Sequence, residues 1–416
     1  MTFEIRPAAS PAVDAEHEQI EWDDPSVAGS GVKASVDPWL TQLGPVNTAA
    51  IDLVRLAATA YIADRLTPRG AGFSRTIVAH VHLVHAPTWA PLLGDLEHLL
   101  SWISGDEWHL TVHNENCPRP DVPDAPELKP TGVALLSGGL DSFSGALLRE
   151  GTTLFVSHTD NPTVTGAQRK AWDWLADARV LGARLQIGLC EAATKREPTT
   201  RTRALLFYAL AIAAADAHGV DTVEVPENGF TSLNLSLGND RGGVLSTRST
   251  HPWTFRLLRE LLTAAGIAVS IENPYEWHTK GELVKAAVDA VATLPDGLML
   301  TLSCAKLDGR TYKGGNPNVN CGLCVACLTR RAAVRAAGLD DKTPYLSSTL
   351  VGSALAQLKT RRDSDVRAVL SRVGVQLDEF TLLENGPFPD DYDLTAAAHL
   401  CHRGFAELAD LLTGLD

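Results

Sequence analysis

The chain has 416 residues, 45% of them hydrophobic and 21% charged, a balance that supports folded cores and excludes a disordered polymer. At about 150 residues per domain, that length predicts two or three domains. A formal charge of −14 excludes a surface that tracks bulk nucleic acid, while leaving room for a local basic pocket.

Residues 1 to about 40 mix acids, proline, glycine and serine without a sustained period, which predicts strand in part and a mobile arm in part. Met1-Thr2-Phe3-Glu4-Ile5-Arg6 lacks the basic start and apolar run of a secretory leader, so the cytoplasm is the expected compartment. Gly29-Ser30-Gly31-Val32-Lys33 is too short for a Walker-type phosphate loop and has no strand and helix framing it. Apolar spacing predicts a helix from Ile51 to Arg65, strand composition follows from Thr76 to Val84, and a second helix and strand follow over Trp89–Ile103 and Trp108–Val112. Together they predict an α+β domain over residues 1–125. His80 and His82 alternate onto one strand face, where a solvated face accounts for them better than a metal. Pro118, Pro120, Pro123, Pro126 and Pro130 then interrupt any regular element and mark a domain boundary.

Beyond that boundary, Val133-Ala134-Leu135-Leu136, Thr153-Leu154-Phe155-Val156 and Thr222-Val223-Glu224-Val225 are short apolar runs with helical segments between them. This alternation predicts an α/β domain over residues 130–303, a doubly wound parallel sheet with its sites at the strand carboxyl ends. The longest apolar run, Ala204 to Ala215, reads as a buried helix and falls well short of the ~20 residues of a bilayer span, so no membrane partner is expected.

Directly after the first run stands Ser137-Gly138-Gly139-Leu140-Asp141-Ser142, followed by helical spacing through Leu148. Two glycines let a backbone approach an anion, and the dipole of the following helix favours negative charge there. Ser137 and Ser142 add hydroxyl donors. Asp141 beside phosphates calls for a cation, as an organiser of the loop or a contact to Mg²⁺. Further along, Cys321-Gly322-Leu323-Cys324-Val325-Ala326-Cys327, with Cys304 upstream, supplies four thiolates for a closed tetrahedral Zn²⁺ site over residues 304–335. Seven cysteines in all, four of them in this cluster, favour metal over disulfides and a reducing compartment. Residues 336–416 predict a helical extension, with helical patches at Ser353–Leu358 and Ala396–Leu412 and no chemical motif.

The hexapeptide resembles the signature of the PP-loop ATP pyrophosphatases, whose HUP-like fold binds ATP and whose chemistry forms adenylates. Loop and late cysteines together are similar to the QueC family, the 7-cyano-7-deazaguanine synthases. Ser157-His158, Gln168-Arg169, Arg201-Thr202-Arg203 and Lys280-Gly281-Glu282 agree in order over roughly residues 130–335. The resemblance implies ATP, Mg²⁺ and Zn²⁺ as cofactors and a deazaguanine carboxylate as substrate. It implies Asp141 and Lys280 as catalytic residues and residues 137–142 with Arg201 and Arg203 around the nucleotide. His158, Glu227, Asn228, Arg248 and His251 are implied around the substrate. Some have a plainer alternative: Lys280 as an exposed helix-start lysine, Arg201 and Arg203 as helix-capping charge, Glu227-Asn228 as turn residues. The extra residues before the loop and after the cysteines look like those of the antiphage subset, QatC and the QueC-like component of type IV CBASS. That subset implies a partner protein whose amine accepts the activated acyl group. Housekeeping synthesis of the free nitrile and a catalytically silent nucleotide-binding regulator are the alternatives, and a homodimer stays open.

Overall fold

A computed structural model of the chain describes residues 2–7, 10–21, 32–33, 40, 43–70, 74–115, 129–159, 161–178, 180–188, 190–191, 197, 201–237, 247–291 and 295–413. Strands β1 (Thr2–Arg6), β2 (Glu18–Glu21), β3 (Thr76–Leu83) and β4 (Glu107–Asn114) form one sheet in the order β2-β1-β3-β4. All three pairings are parallel. Helix α1 (Thr48–Leu66) precedes β3, and helix α2 (Leu93–Ser104) lies in the crossover from β3 to β4. Both expected strands of this unit are therefore present, but the helices interleave with them as crossovers, so the layering is α/β and not the segregated α+β arrangement. Val32–Lys33, at the end of the glycine-serine stretch, pair antiparallel with Cys190–Glu191; Gly29–Gly31 lie outside the described residues, as do Pro118 to Pro126.

The second sheet holds β5 (Gly132–Leu135), β6 (Thr153–Thr159), β7 (Gly182–Gly188), β8 (Thr222–Glu224) and β9 (Ser270–Glu272), ordered β9-β8-β5-β6-β7 and parallel throughout. It is the doubly wound parallel α/β sheet the strand and helix alternation predicts. The chain runs outward from β5 to β7, then returns past β5 to lay down β8 and β9. The gap between the ends of β5 and β8 is thus the switch point, where a doubly wound sheet opens a crevice for ligands.

Residues alternate between the faces of this sheet. Ala134, Leu136 and Phe155 join an apolar cluster with α3 (Leu140–Leu147), α4 (Pro162–Asp177) and later helices. Val133, Leu135, Leu154 and Val156 join a larger cluster with α5 (Arg203–His218) and α6 (Pro252–Ala264). That second cluster continues without a break into α1 and on to Phe3, Ile5, Ile77 and Val81 of the first sheet. Helix α1 is buried on every side, as a helix packed between a sheet and another helix must be, and its apolar residues surround it accordingly.

The charged residues inside α1 have partners, as burial requires. Asp52 accepts from the N–H groups of Val84 at 2.7 Å and His85 at 3.0 Å; burial nonetheless pushes its carboxyl up to about 6. Asp64 pairs with Arg75 at 2.5 Å and accepts from the N–H groups of Arg201 at 2.9 Å and Thr202 at 3.1 Å. An N-terminal carboxylate therefore fixes the start of α5.

The rest of the chain wraps the first layer of the core sheet. Helix α7 (Lys280–Ala290) begins with a full capping box, Thr279 with Glu282, which the Thr-Lys-Gly-Glu sequence encodes. It is followed by α8 (Val325–Ala336), α9 (Gly352–Leu370), α10 (Glu379–Asn385) and α11 (Leu394–Thr413). The expected helical extension is present, and it is folded onto the core: α11 buries Leu400, Cys401, Phe405 and Leu408 against Phe230, Leu233 and α8. Among the described residues no helix is long and apolar enough to cross a membrane.

Candidate active site and metal centre

The loop from Ser137 to Ser142 links β5 to α3 at the switch point. Gly138 adopts φ +82, a conformation that favours glycine. Its Cα also faces Gln168, whose Cγ and backbone nitrogen would lie 2.9 and 3.0 Å from a Cβ. Gly138→Ala is therefore expected to destabilise the protein by about 1–3 kcal/mol in urea denaturation, through forced backbone and steric strain. Gly166→Ala, in the middle of α4 with no atom within 4 Å of its would-be Cβ, is expected to stabilise by about 0.5–1 kcal/mol. Equal responses of the two variants would contradict the loop geometry.

Hydroxyls brace the loop from within. Ser142 Oγ accepts from the Ser137 N–H at 3.1 Å, and the two hydroxyls lie 3.0 Å apart. Leu140 N–H donates to Ser303 Oγ at 3.3 Å, and Leu302 N–H to the Gly138 carbonyl at 2.9 Å. The N–H groups of Asp141 and Ser142, at the start of α3, have no partner among the described residues. Free N–H groups at a helix start, reached over glycine, form an anion cradle.

Asp141 is buried and sits at the centre of a polar cluster. Lys280 Nζ, at the start of α7, lies 2.5 Å from its Oδ1. Asn228 Nδ2 and N–H donate to Oδ2 at 2.7 and 3.2 Å. Burial pushes the Asp141 carboxyl up, but the Lys280 charge and hydrogen bonds from Glu227, Lys280 and Asn228 outweigh it and hold it at about 2. Glu227 moves the other way: burial, then the Asp141 charge, raises its carboxyl well above the usual range, so it stands as the protonated partner. Glu227 is packed round by protein yet keeps 35% of its side chain accessible, as a group on the wall of a crevice does; Asp141 keeps 4% and Lys280 10%. Its Oε1 lies 3.9 Å from Lys280 Nζ. The cluster joins residues from the ends of β5 and β8 to a helix start more than fifty residues further on.

Other expected site residues have other neighbours. Asn228 is consumed by the cluster: besides Asp141 it caps a short helix by accepting from Thr231 N–H at 3.0 Å. Arg203 Nη2 donates to the His158 carbonyl at 3.2 Å, and Gln168 Nε2 to that carbonyl at 3.1 Å and to the Ser137 carbonyl at 3.3 Å, which ties both to the loop's back. The His158 ring is wholly buried against Tyr61, and burial holds it neutral, near 3. Arg201 Nη1 donates to the Ser104 carbonyl at 2.6 Å. Arg248 lies over the Trp102 ring at 4.2 Å and donates to its carbonyl at 3.0 Å, while His251 caps α6 through Trp253 N–H and packs on Trp102 and Phe388. The structure thus brings together Asp141, Lys280, Glu227, Asn228 and the loop, and gives Arg201, Arg248 and His251 partners on the N-terminal elements and α6.

Sequence reasoning passed over Glu407. Its carboxylate, on α11, accepts from Thr279 Oγ1 and, at 3.2 Å, from Gly281 N–H, and so locks the helix start that carries Lys280. A glutamate on an amphipathic helix carries no signal for this. Ser303 was also missed, although its place beside Cys304 ties the metal segment to the loop.

The four thiols of Cys304, Cys321, Cys324 and Cys327 lie within 4.8 Å of one another. Cys304 to Cys324 and Cys321 to Cys327 measure 3.9 and 3.8 Å. Four thiolates at about 2.3 Å from Zn²⁺ stand about 3.8 Å apart at tetrahedral angles, so these two spacings suit the ion. N–H groups of Lys306 and Cys321 reach Cys304 Sγ at 3.4 Å, and Arg362 Nε from α9 reaches Cys321 Sγ at 3.4 Å. Such donors would offset thiolate charge around an ion held by the four cysteines.

Curated proteins that the chain resembles match about half of its sequence. A 7-cyano-7-deazaguanine synthase of Chlorobium phaeobacteroides is 27% identical over 234 residues, which is 51% of this chain and 96% of that protein. One from Pseudomonas paraeruginosa is 26% identical over 236 residues, 51% of this chain and 97% of that protein. To 7-cyano-7-deazaguanine synthase 2 of Sulfurisphaera tokodaii the identity is 30% over 143 residues, 34% of this chain but 26% of that protein, so there the chain spans about a quarter of its relative's length. No protein-family model matches the chain.

Proposed function

We propose that this chain is an ATP-dependent C–N ligase of the QueC kind, which adenylates the carboxylate of a 7-deazaguanine and passes the acyl group to an amine, releasing AMP and pyrophosphate. The observation that carries this reading is the buried Lys280–Asp141 pair facing a glycine loop with free N–H groups at the sheet's switch point. The names of the relatives support the deazaguanine.

In the proposed step a carboxylate oxygen bonds to the α-phosphorus of ATP while the bond from that phosphorus to the bridging oxygen of pyrophosphate breaks. The amine nitrogen then bonds to the acyl carbon, loses a proton, and AMP leaves. Gly138, Gly139 and Leu140 bring the backbone to the phosphates, and the hydroxyls of Ser137 and Ser142 add donors. Lys280 meets the negative charge that develops on the transferring group. Asp141 keeps that ammonium in place and is the carboxylate that would contact a Mg²⁺, an ion that would neutralise phosphate charge. The carboxyl of Glu227 faces the crevice, where a guanine-like edge presents N–H groups, and Asn228 positions Asp141 from behind. Arg203 and His158 form the wall at the end of β6. For Arg201, Arg248 or His251 to touch a ligand, each must exchange its present bonds. The zinc site holds structure only.

The assignment extends to antiphage defence, in the QatC or type IV CBASS subset, with the accepting amine on a partner protein from the same operon. About half of this chain lies outside its match to the full-length relatives, which supports an elaborated task in which residues 1–125 and 336–416 meet that partner. A cytoplasmic location and a homodimer belong to the same proposal. The second reading, free nitrile synthesis, is favoured by the relatives' names. Incubation with ATP, Mg²⁺ and 7-carboxy-7-deazaguanine should yield AMP and pyrophosphate; ADP and phosphate would overturn the reaction class. After coexpression with neighbouring genes, a protein gaining the deazaguanine acyl mass supports the protein acceptor, and free nitrile supports the second reading.

A further inference from the structure

A cleft of about 750 Å³ opens beside the loop, between the first turns of α4 and the segments around residues 299–302 and 316–320. It is not the crevice that holds Asp141 and Lys280, since none of that cluster lines it. The two share a wall, because Leu302 lines the cleft while its N–H holds the Gly138 carbonyl.

The chemistry of this cleft is one-sided. Arg169, Lys170 and Arg310 line it, and no Asp or Glu does. None of the three cations has a salt bridge or hydrogen bond among the described residues. In a chain of net charge −14, three cations without a partner among the described residues lining one cleft are a concentration of positive field against the general trend. The carboxamides extend it. Asn316 Oδ1 accepts from Asn318 N–H at 2.9 Å and Asn318 Oδ1 from Thr163 Oγ1 at 3.2 Å, so both acceptors are consumed internally and both NH₂ groups remain to donate. The start of the sixteen-residue helix α4, at Pro162 and Thr163, adds its positive dipole end to the same wall.

We propose that this cleft is a second anion site, distinct from the glycine loop, that takes a polyphosphate: inorganic pyrophosphate or the phosphate tail of a nucleotide. Arg169 and Arg310 offer planar forked donors for paired phosphate oxygens, Lys170 adds a point charge, and the amides of Asn316 and Asn318 add neutral donors. The site needs no adenylating reaction and stands whether or not the proposed function does.

Calorimetric titration of the full chain with inorganic pyrophosphate tests it. Three proteins are compared: the unaltered chain, Arg169→Ala/Lys170→Ala/Arg310→Ala, and the loop variant Ser137→Ala/Ser142→Ala. The loop variant is expected to keep pyrophosphate binding in the cleft, and the triple variant to lose about tenfold or more of that affinity, with binding that weakens as salt rises. Thermal melts of the triple variant should match the unaltered chain, because the three side chains are exposed and unpaired. In the loop variant, ATP binding as tightly as pyrophosphate assigns the cleft to a nucleotide tail, and pyrophosphate alone assigns it to the free anion; either supports the site. A triple variant that binds pyrophosphate as the unaltered chain does would overturn it. So would a loop variant that binds none, an outcome that leaves the glycine loop as the phosphate site and the proposed function standing. An unaltered chain that forms no AMP while binding pyrophosphate in the cleft would fail the proposed function alone.

Discussion

Lys280→Met is expected to lower AMP-forming turnover by about 100-fold and to destabilise the fold by about 3 kcal/mol at neutral pH. The first effect follows from removing a preorganised cation from a water-poor site. The second follows from what stays behind. Asp141 would face the raised Glu227 carboxyl without the ammonium now 2.5 Å from it. The lower end of the usual range for a broken buried pair applies because Glu227 is partly hydrated at the crevice wall. The sign with pH is fixed by Asp141. Its folded carboxyl titrates at about 2 against an ordinary 3.8, so its stabilisation is present above 3.8 and lost as pH falls through about 2. Without Lys280 the folded value rises, and the acid limb of the stability curve moves to higher pH. Urea midpoints between pH 3 and 7 measure it, and Lys280→Met/Asp141→Asn should recover part of the loss because both charges are then gone. A single variant as stable as the unaltered chain across that range would dissolve the pair.

Cys324→Ser, or removal of metal with a strong chelator, is expected to cost several kcal/mol and to release one zinc per chain. Structural zinc contributes roughly 10–16 kcal/mol of apparent binding energy in small peptides, and loss of a single thiolate forfeits a large part of it. The consequence should spread beyond the cysteines. Residues Tyr312, Leu346, Leu350, Ala354 and Leu358 pack with the thiols in one cluster, so α9 loses its seat. Ser303 and Leu302, joined to Cys304 by the chain, hold Leu140 and Gly138, so the glycine loop loosens as well. Elemental analysis of the purified chain, hydrogen exchange of residues 298–358 and exchange at 137–142 read the three effects in turn. A chain purified without stoichiometric metal, and indifferent to chelation, would show that the thiols are held together by packing alone.

The glycine loop was legible because strand, loop and helix are contiguous, and each leaves its own mark: Val133 to Leu136 by apolarity, Gly138 by the backbone it needs, Phe143 to Leu148 by helical spacing. The cysteines were legible because three of the four ligands fall within seven residues. The parallel pairing of β1 with β2 and β3 was not, because a lone short strand such as Thr2–Arg6 carries no statement of its partner's direction. Glu4 illustrates the difficulty: a buried glutamate in a strand reads as an exposed one until Val13, Gln19 and His82 are seen to satisfy it.

By itself the sequence determined the local chemistry of this protein: a loop whose backbone can meet an anion, four thiols at metal spacing, and a core sheet of buried strands. Those features depend on neighbours along the chain, and propensity and spacing encode them directly. Only the tertiary structure decided that Asp141, Glu227 and Lys280 share one charge cluster, that Glu407 of the last helix steadies the lysine, and that Arg201 and Arg248 are bound to the N-terminal elements. Such pairings join residues far apart in the chain, and a carboxylate's titration and partners depend on what burial places against it, which no local pattern records.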